Sequence, residues 1–227
     1  MRILLLDTET NGLPQGRQVP ASEWRLYPAI LQLSWVTYTI DVAGRQVGLP
    51  ESKRDIGLAL HPSIPWNAEA AAIHGLSEFE GRRGTPAAEA LGELAVALAG
   101  VDVVIAHNLA FDKSVIRAAG YAEADRGGPA SLRSLWPRGI AELCTMRTTQ
   151  DIVRIPSPYY GPESGRWKAP KLNELYAWIY GHTYDVSGGI MHTSKADTHC
   201  LAQCVSGLLR KGLLVVRDGR LVTTSAA

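Results

Sequence analysis

Residues 2–12, RILLLDTETNG, combine a short apolar run with two closely spaced carboxylates. Ile3 to Leu6 are all apolar, which is typical of a strand buried on both faces. Asp7 and Glu9 follow where this run ends, and strand side chains two residues apart point to the same face. We therefore expect a buried strand over Arg2–Asp7, with both carboxylates projecting together from its end.

The remaining pattern predicts an α/β mixed sheet, in which a three-strand antiparallel meander is followed by alternating helices and strands. Further strands are expected at Ile30–Ile40, Ile56–Leu60, Val101–Ala106 and Glu142–Met146, with a turn at Asp41–Arg45. The apolar run Val101–Ala106 indicates a central parallel strand. Helices are expected at Pro86–Leu98, Phe111–Ala119, Lys171–Tyr180 and Ser194–Lys211.

Several helix and hairpin ends can be read from single residues. Thr85 and Pro86 stand in the favoured N-cap and N1 order, while Gly100 and Gly120 are expected to close the two helices that precede them. Near the C-terminus, Asp218-Gly219 lies between two apolar runs and predicts a hairpin over about residues 213–223.

The composition predicts one globular domain over residues 1–227, with a core over about 2–211. The net charge of +1 neither favours nor excludes a nucleic-acid partner. The N-terminal apolar run is too short for a signal peptide, and no stretch approaches the roughly 18 apolar residues of a membrane span. Three cysteines, an odd number, suit a reducing compartment, so we expect a cytoplasmic protein. Cys200 and Cys204 could be read as metal ligands but are more often small buried hydrophobes.

A second carboxylate context follows the strand at Val101–Ala106. Asp112 comes after VVIAHN, where a strand leads into a helix and where open α/β sheets place their sites. Alternatively, Asp112 only stabilises the N-terminus of that helix. Asn108 either braces the loop or contacts substrate, and His107 is more often a structural residue.

A third context is HTSKAD, residues 192–197. Five residues at about 100° each place His192 and Asp197 roughly 140° apart on a helix, so they do not share a face. His192 can reach a common site only if it precedes the helix, which Ser194 can cap with Asp197 three residues on. Alternatively, Ser194 and Asp197 form only a capping box variant, and His192 lies on the surface.

Two long segments, Leu13–Pro28 and Ile155–Pro170, are rich in proline and glycine and predict no regular element. Both mix basic with aromatic residues, such as Trp24 and Arg25 in one and Arg166 and Trp167 in the other. This mixture can hold phosphates and stack bases of a single strand. The alternative is a pair of surface loops whose aromatic residues cap the core.

Each of the three acidic motifs is too common to indicate a function alone. Their order along the chain and their positions at the ends of predicted elements are more informative. Together DTETNG, AHNLAFD and HTSKAD resemble the three motifs of the DEDDh family, the DnaQ-like 3′–5′ exonucleases that include proofreading subunits, RNase T and the TREX enzymes. IHGLS, ELCTM and KLNELYAWIYG resemble further segments of that family. The resemblance covers about Arg2 to Leu209. Ser194 departs from it, because the family usually has alanine there.

This resemblance implies a ribonuclease H-like fold and two divalent cations, Mg²⁺ or Mn²⁺. By analogy Asp7 bridges both ions, Glu9 and Asp197 complete the first site, and Asp112 helps to hold the second. His192 is then the general base. Four softer assignments follow from the same resemblance. They place Thr10, Asn11 and Leu13 against the terminal nucleotide, with His74 closing that pocket unless it simply ends a helix before Gly75.

The expected activity is hydrolysis of single-stranded or frayed 3′ ends, with DNA ahead of RNA and with nucleoside 5′-monophosphates as products. An exoribonuclease like RNase T is the near alternative, and an endonuclease of the ribonuclease H type is a more distant one. From a different class, a nucleic-acid-binding module that has lost catalysis is disfavoured by the complete set of acidic residues. A homodimer or a polymerase partner is possible but is not specified by the sequence.

Overall fold

The protein, described here by a computed structural model over residues 1–16, 18–41, 47–159, 164–185 and 193–224, is built on a five-stranded mixed sheet. The strand order is β3-β2-β1-β4-β5. The strands are β1 (Arg2–Thr10), β2 (Ile30–Thr39), β3 (Ser52–Gly57), β4 (Val103–Ala106) and β5 (Ala141–Cys144). The first three strands form an antiparallel meander, and β4 runs parallel to both β1 and β5. The predicted α/β mixed sheet is confirmed.

Eight helices accompany the sheet in the described part of the chain. They are α1 (Ala68–His74), α2 (Glu78–Gly81), α3 (Ala87–Ala99), α4 (Leu109–Asp125), α5 (Thr145–Thr148), α6 (Gln150–Val153), α7 (Leu172–Tyr180) and α8 (Ser194–Arg210). None of the helices in the described ranges is long and apolar enough to cross a membrane.

The core has two layers, one on each face of the sheet. Ile3 and Leu5 of β1 pack with α7 and α8, whereas Leu4 and Leu6 pack with α3 and α4. This division follows from the alternation of side chains along a strand and explains why Ile3 to Leu6 of β1 are all apolar. Cys200 and Cys204 are buried in the first layer, which supports their interpretation as small hydrophobes.

Two short hairpins lie outside the main sheet. The first joins β6 (Ile155–Pro156) to β7 (Trp167–Lys168), within a segment for which no element was predicted. The second joins β8 (Leu214–Arg217) to β9 (Arg220–Thr223) and confirms the predicted C-terminal hairpin. Asp218 and Gly219 both have positive φ, as the tight turn requires.

The predicted bounds of β1 and β3 were wrong. β1 continues three residues beyond Asp7, because Thr8, Glu9 and Thr10 pair with β2. β3 lies at Ser52–Gly57 rather than Ile56–Leu60. Its largely exposed residues carry little apolar pattern, while the buried Leu58 and Leu60 that suggested a strand come after it. The predicted turn at Asp41–Arg45 lies largely outside the described residues.

The prediction that α4 ends at Gly120 was also wrong. The helix begins at Leu109 and continues to Asp125. A Cβ atom at Gly120 would lie 2.3 Å from the carbonyl oxygen of Leu132. Glycine is therefore needed for the close approach of the 3₁₀ turn at Ala130–Ser134, and it does not end the helix.

Three element ends differ from prediction by a few residues. The N-cap of α3 is Pro86 rather than Thr85, because the backbone of Thr85 is paired with Gly57 and Ala59. The N-cap of α8 is Thr193 rather than Ser194. β5 ends at Cys144, and the following residues enter α5. The predicted close of α3 at Gly100 is confirmed.

Candidate active site at the carboxyl edge of the sheet

Three carboxylates converge where β1 ends. Asp7 and Glu9 project from the same face of β1, and Asp197 comes from the first turn of α8, which packs on that face. Their carboxylate oxygens lie within 4.8 Å of one another. The structure thus brings together residues of the first and third motifs, which are about 190 positions apart in the sequence.

Asp112 reaches the same place from the opposite face of the sheet. It lies in the first turn of α4 and is 2% exposed. Its Oδ1 accepts hydrogen bonds from the backbone N of Thr8 at 3.1 Å and from Thr8 Oγ1 at 2.8 Å. Thr8 lies between Asp7 and Glu9 in β1 but faces the other side of the sheet, because side chains alternate along a strand. Its two hydrogen bonds therefore hold Asp112 at the position in β1 that lies between the two acidic residues.

Thr8 is a contact of the carboxylate cluster that the sequence analysis missed. It lies between the two acids of the first motif and is buried, although it is polar. A buried threonine needs a hydrogen-bond partner. From the sequence, Thr8 could be recognised only as a threonine next to a strand that was predicted to be buried. Its position does not predict that Asp112 is its hydrogen-bond partner.

Electrostatic repulsion is concentrated in this cluster. Burial raises the pKa of Asp7 well above its usual range, and repulsion from Asp112, Asp197 and Glu9 adds to the shift. Burial and repulsion from Asp197 and Asp112 raise the pKa of Glu9 to about 8. Burial also raises the pKa of Asp112 to about 7, against the lowering effect of its bonds from Thr8.

The donor set fits divalent metal ions. Hard cations prefer oxygen ligands, and a cluster of carboxylates is stabilised when a cation offsets its mutual repulsion. Among the described residues, no lysine or arginine forms an ion pair with Asp7 or Glu9. A bound cation is therefore the natural partner for these charges.

The N-terminus of α8 is bonded to β2, the strand that pairs with β1 beside the carboxylates. Thr193 Oγ1 caps the helix by accepting a bond from Ala196 N at 3.2 Å. Ser194 is buried, and its Oγ lies 2.7 Å from Ser34 Oγ. Since Ser34 Oγ donates its proton to Asp55 Oδ1 at 2.9 Å, Ser194 is the donor to Ser34. The predicted capping role of Ser194 is replaced by a tethering role.

Two further bonds complete this tether. Ser194 N donates to Gln32 Oε1 at 3.3 Å, and Thr198 Oγ1 donates to the carbonyl of Ser34 at 3.4 Å. Ser34 and Gln32 are the cross-strand partners of Asp7 and Glu9. The helix that carries Asp197 is thus bonded to the residues directly opposite the other two carboxylates.

The residues predicted to grip a terminal nucleotide take different positions. Leu13 is 78% exposed and Ile73, which was not predicted, is 62% exposed. Thr10 Oγ1 donates to the carbonyl of Gly12 at 2.8 Å. The Asn11 side chain is engaged with the loop before α1, donating to the Pro65 carbonyl at 2.9 Å and accepting from Asn67 N at 3.0 Å.

His74 is a buried residue at the end of α1. It is 2% exposed, and Gly75 follows it in the left-handed conformation that ends the helix. Its Nδ1 accepts a bond from Leu76 N at 3.1 Å, while its Nε2 has no partner among the described residues. Burial lowers the pKa of His74, so the ring is neutral with its proton on Nε2.

The second motif contains a structural histidine, as expected. His107 Nδ1 bonds to Thr145 Oγ1 and its Nε2 to the carbonyl of Pro170, each at 2.9 Å. Asn108 is the N-cap of α4 with positive φ, and its side chain makes no capping bond. His192, the predicted general base, lies outside the described residues.

Several solved structures share this fold. A 3′-exonuclease, solved in a study of 3′-end-specific recognition of a histone mRNA stem-loop, matches with a TM-score of 0.60 and 11% identity over 100% of this chain and 71% of that chain. E. coli exonuclease I, as a zinc-bound complex with single-stranded DNA, matches with a TM-score of 0.59 and 16% identity over 92% of this chain. A product-bound exonuclease I structure matches with a TM-score of 0.59 and 16% identity over 91% of this chain.

The chain has the ribonuclease H-like fold of these 3′-exonucleases. It spans only 40% of the length of the zinc-bound exonuclease I chain and 43% of the product-bound one. No protein-family model and no curated protein matches the sequence. The likeness is therefore one of fold, and the activity must be argued from the site.

Proposed function

We propose that the protein is a metal-dependent 3′–5′ exonuclease that acts on single-stranded or frayed 3′ ends of DNA. The observation that carries this proposal is the approach of the Asp7, Glu9 and Asp197 oxygens to within 4.8 Å, with Asp112 bonded to Thr8 between them. The fold of exonuclease I, which was solved with single-stranded DNA, supports the same assignment.

Asp7, Glu9, Asp112 and Asp197 would hold two divalent metal ions, Mg²⁺ or Mn²⁺. Two such metal ions would supply activation of a water nucleophile and stabilisation of the leaving 3′ oxygen of the phosphodiester. The chain supplies what this chemistry requires, because β1 fixes Asp7 and Glu9, Thr8 fixes Asp112, and the tether at Ser194 fixes the helix of Asp197.

The sequence resemblance assigns the proton transfer to His192. A histidine suits this role because its ordinary pKa is near neutrality. With His192 as the general base, the attacking water loses its proton to the imidazole, and the product is a nucleoside 5′-monophosphate. We expect His192→Ala to slow hydrolysis by roughly 100-fold, the scale of a lost general base.

The terminal nucleotide is assigned to the surface beside β1 and α1. Leu13 and Ile73 are exposed apolar side chains that can contact a base, and His74 lies next to Ile73 with its Nε2 proton unpaired. Thr10, Asn11 and Asn108 complete the proposed contact set. Of these, Asn11 acts through the loop before α1, because both ends of its side-chain amide are already bonded there.

An exoribonuclease is the second candidate. The 3′-exonuclease solved in the study of a histone mRNA stem-loop matches 100% of this chain, whereas two of the exonuclease I matches are complexes with DNA oligonucleotides. A 2′-hydroxyl contact is a local feature that distinguishes the two polymers. DNA remains the first choice. The intact carboxylate set disfavours a module that only binds nucleic acid.

The decisive experiment uses DNA and RNA single strands of matched sequence, each labelled at the 5′ end. The protein is incubated with Mg²⁺ or Mn²⁺, and Asp7→Asn, purified in parallel, reports any contaminating nuclease. We expect a ladder that shortens from the 3′ end and is abolished by EDTA. Internal cuts, or an intact label on both polymers, would contradict the proposal.

A further inference from the structure

A groove of about 1310 Å³ extends from the end of β1 to the C-terminal part of α4. It begins at Asn11, Gly12 and Leu13, beside the proposed terminal-nucleotide contacts, and includes Arg126 at its other end. Pockets for single small molecules have volumes of about 300–1000 Å³, so this space suits an extended ligand. Asn11, Gly12 and Leu13 follow directly after β1, the strand that carries Asp7 and Glu9.

Trp24 fixes two arginines in this groove. The Cζ atom of Arg25 lies 4.2 Å from the centroid of the Trp24 ring, and that of Arg126 lies 5.0 Å from it. The indole is itself held, because its Nε1 donates to Asp125 Oδ2 at 2.7 Å. Two guanidinium groups from separate segments are thus positioned by one ring. Trp24 holds arginines and is not an open platform for a base.

A third arginine lines the groove on another segment. Arg82 donates to the carbonyl of His61 at 3.1 Å and pairs with Glu78 at 2.9 Å. Because its Nε and Nη2 bond to Glu78 and its Nη1 bonds to His61, Arg82 lines the groove with each of its guanidinium nitrogens already engaged. The test below therefore uses Arg25 and Arg126.

Two of the three arginines of the groove are already paired with carboxylates. The lining contains Arg25, Arg82 and Arg126 together with Glu69 and Glu123, and Glu78 outside the lining pairs with Arg82 at 2.9 Å. Glu123 is already paired with Arg126 at 2.9 Å. Hydrogen bonds from Trp24 and Arg133, and also the nearby charge of Arg25, lower the pKa of Asp125. Within the described ranges, however, no carboxylate forms an ion pair with Arg25, which is exposed, so its donors are not held by a salt bridge.

We propose that this arginine groove, defined by Arg25, Arg82 and Arg126, binds the sugar-phosphate backbone of the strand on the 5′ side of the nucleotides held in the active site. The inference rests on the proposed exonuclease function and adds a second binding region to it. Positive grooves that follow the backbone are the general means by which proteins hold single strands.

The position of the groove predicts a dependence on strand length. Arg126 is the C-cap of the 17-residue helix α4, whose first turn carries Asp112. At about 1.5 Å of rise per residue, Arg126 lies roughly 20 Å from Asp112. A dinucleotide in the active site cannot reach this arginine, whereas a strand of several nucleotides can.

The test compares the double variant Arg25→Ala/Arg126→Ala with wild type on oligonucleotides of 2, 4, 8 and 16 nucleotides. We expect the ratio of KM for the 16-mer to KM for the dinucleotide to rise on the order of tenfold. Arg54→Ala is the matched control, because this arginine lies on the edge strand β3 and pairs with Glu93. A double variant with an unchanged ratio would overturn the proposal, as would a change equal at every length.

Binding is measured separately from hydrolysis, so that failure of the function and failure of the groove can be distinguished. In the Asp7→Asn background, fluorescence anisotropy with a labelled DNA or RNA 16-mer gives the affinity at several salt concentrations. The logarithm of the affinity falls as the logarithm of the salt concentration rises, and loss of two phosphate contacts should make this negative slope shallower by about 1.4 for a single strand. If the wild type hydrolyses neither polymer, the function fails, and this slope still decides the groove.

A second variant protects the test against misfolding. Arg25→Lys/Arg126→Lys keeps both charges, so it should retain most of the salt slope while it loses the fork geometry of the guanidinium groups. If the lysine and alanine variants lose the same slope, or if the alanine variant melts well below wild type without a length effect, the arginines serve the fold and the proposal is wrong.

Discussion

The helices α4 and α8 each place one aspartate at the same edge of the sheet, but they fix it in different ways. Asp112 of α4 is almost fully buried and accepts two hydrogen bonds from Thr8. Asp197 of α8 is half-buried, and its helix is held through Ser194. The first carboxylate is positioned directly by β1, and the second is positioned by the placement of its helix.

This difference follows from the alternation of β1. Asp7 and Glu9 face the α8 side, where Asp197 adds a third charge at close range. Thr8 faces the α4 side, where it can donate to Asp112. The α4 helix therefore contributes a carboxylate that is bonded to β1, and the α8 helix contributes a third charge that adds to the repulsion at Asp7 and Glu9. Metal binding should matter more for the order of the α8 side.

The largest expected effect is on catalysis, where the two aspartates should be equally necessary although they are held in different ways. Asp112→Asn and Asp197→Asn should each lower kcat by about 1000-fold or more, because each removes a charged ligand oxygen worth several kcal/mol in the transition state. The measurement is single-strand hydrolysis at saturating Mn²⁺, with circular dichroism as the folding control. Wild-type activity in Asp197→Asn would exclude that carboxylate from the site.

The next effect concerns the unfolding free energy, to which Asp112 on α4 should contribute through its hydrogen bonds from Thr8. Asp112→Ala leaves the buried N–H and hydroxyl of Thr8 without an acceptor, which should cost about 1–3 kcal/mol of unfolding free energy. Urea denaturation at pH 6 is suitable, because the Asp112 pKa of about 7 leaves the carboxyl mostly neutral there. Asp112→Asn is the matched control, since its amide oxygen can still accept from Thr8. Equal losses in both variants would contradict this role of Thr8.

Stability should also depend on pH, through Glu9 on the α8 side as well as through Asp112 on the α4 side. Glu9 has a pKa of about 8 in the folded protein, well above its ordinary value, so the folded state binds the proton more tightly than the unfolded chain. Without metal, unfolding free energy should fall by a few kcal/mol as pH rises from about 4.5 to about 8. Divalent cations should reverse this fall, and Asp197→Ala should make it shallower by removing one source of repulsion. A pH-independent metal-free protein would show that the cluster is not under repulsion.

The sequence predicted the α8 side of the site better than the α4 side. The spacing of Asp7 and Glu9 shows directly that they share a face, and the first turn of α8 could be placed from its capping residues to within one residue. The bond from Thr8 to Asp112 joins residues 104 positions apart, and no local pattern encodes it. The length of α4 was missed for a similar reason, since Gly120 is explained by contact with Leu132 rather than by a helix end.

The smallest expected effect concerns the tether of α8. Ser194→Ala removes the hydrogen bond to Ser34, which should cost about 1 kcal/mol of unfolding free energy. The α8 helix should still form, because Thr193 provides its cap and because alanine is the usual residue here in the family that the sequence resembles. We expect Mn²⁺ affinity, measured by thermal shift, to fall a few-fold as Asp197 loses its fixed distance from Asp7 and Glu9. Ser206→Ala, near the other end of the same helix, is the matched control. If stability falls but Mn²⁺ affinity does not, Ser194 only packs the helix, and the position of Asp197 is set by the metal itself.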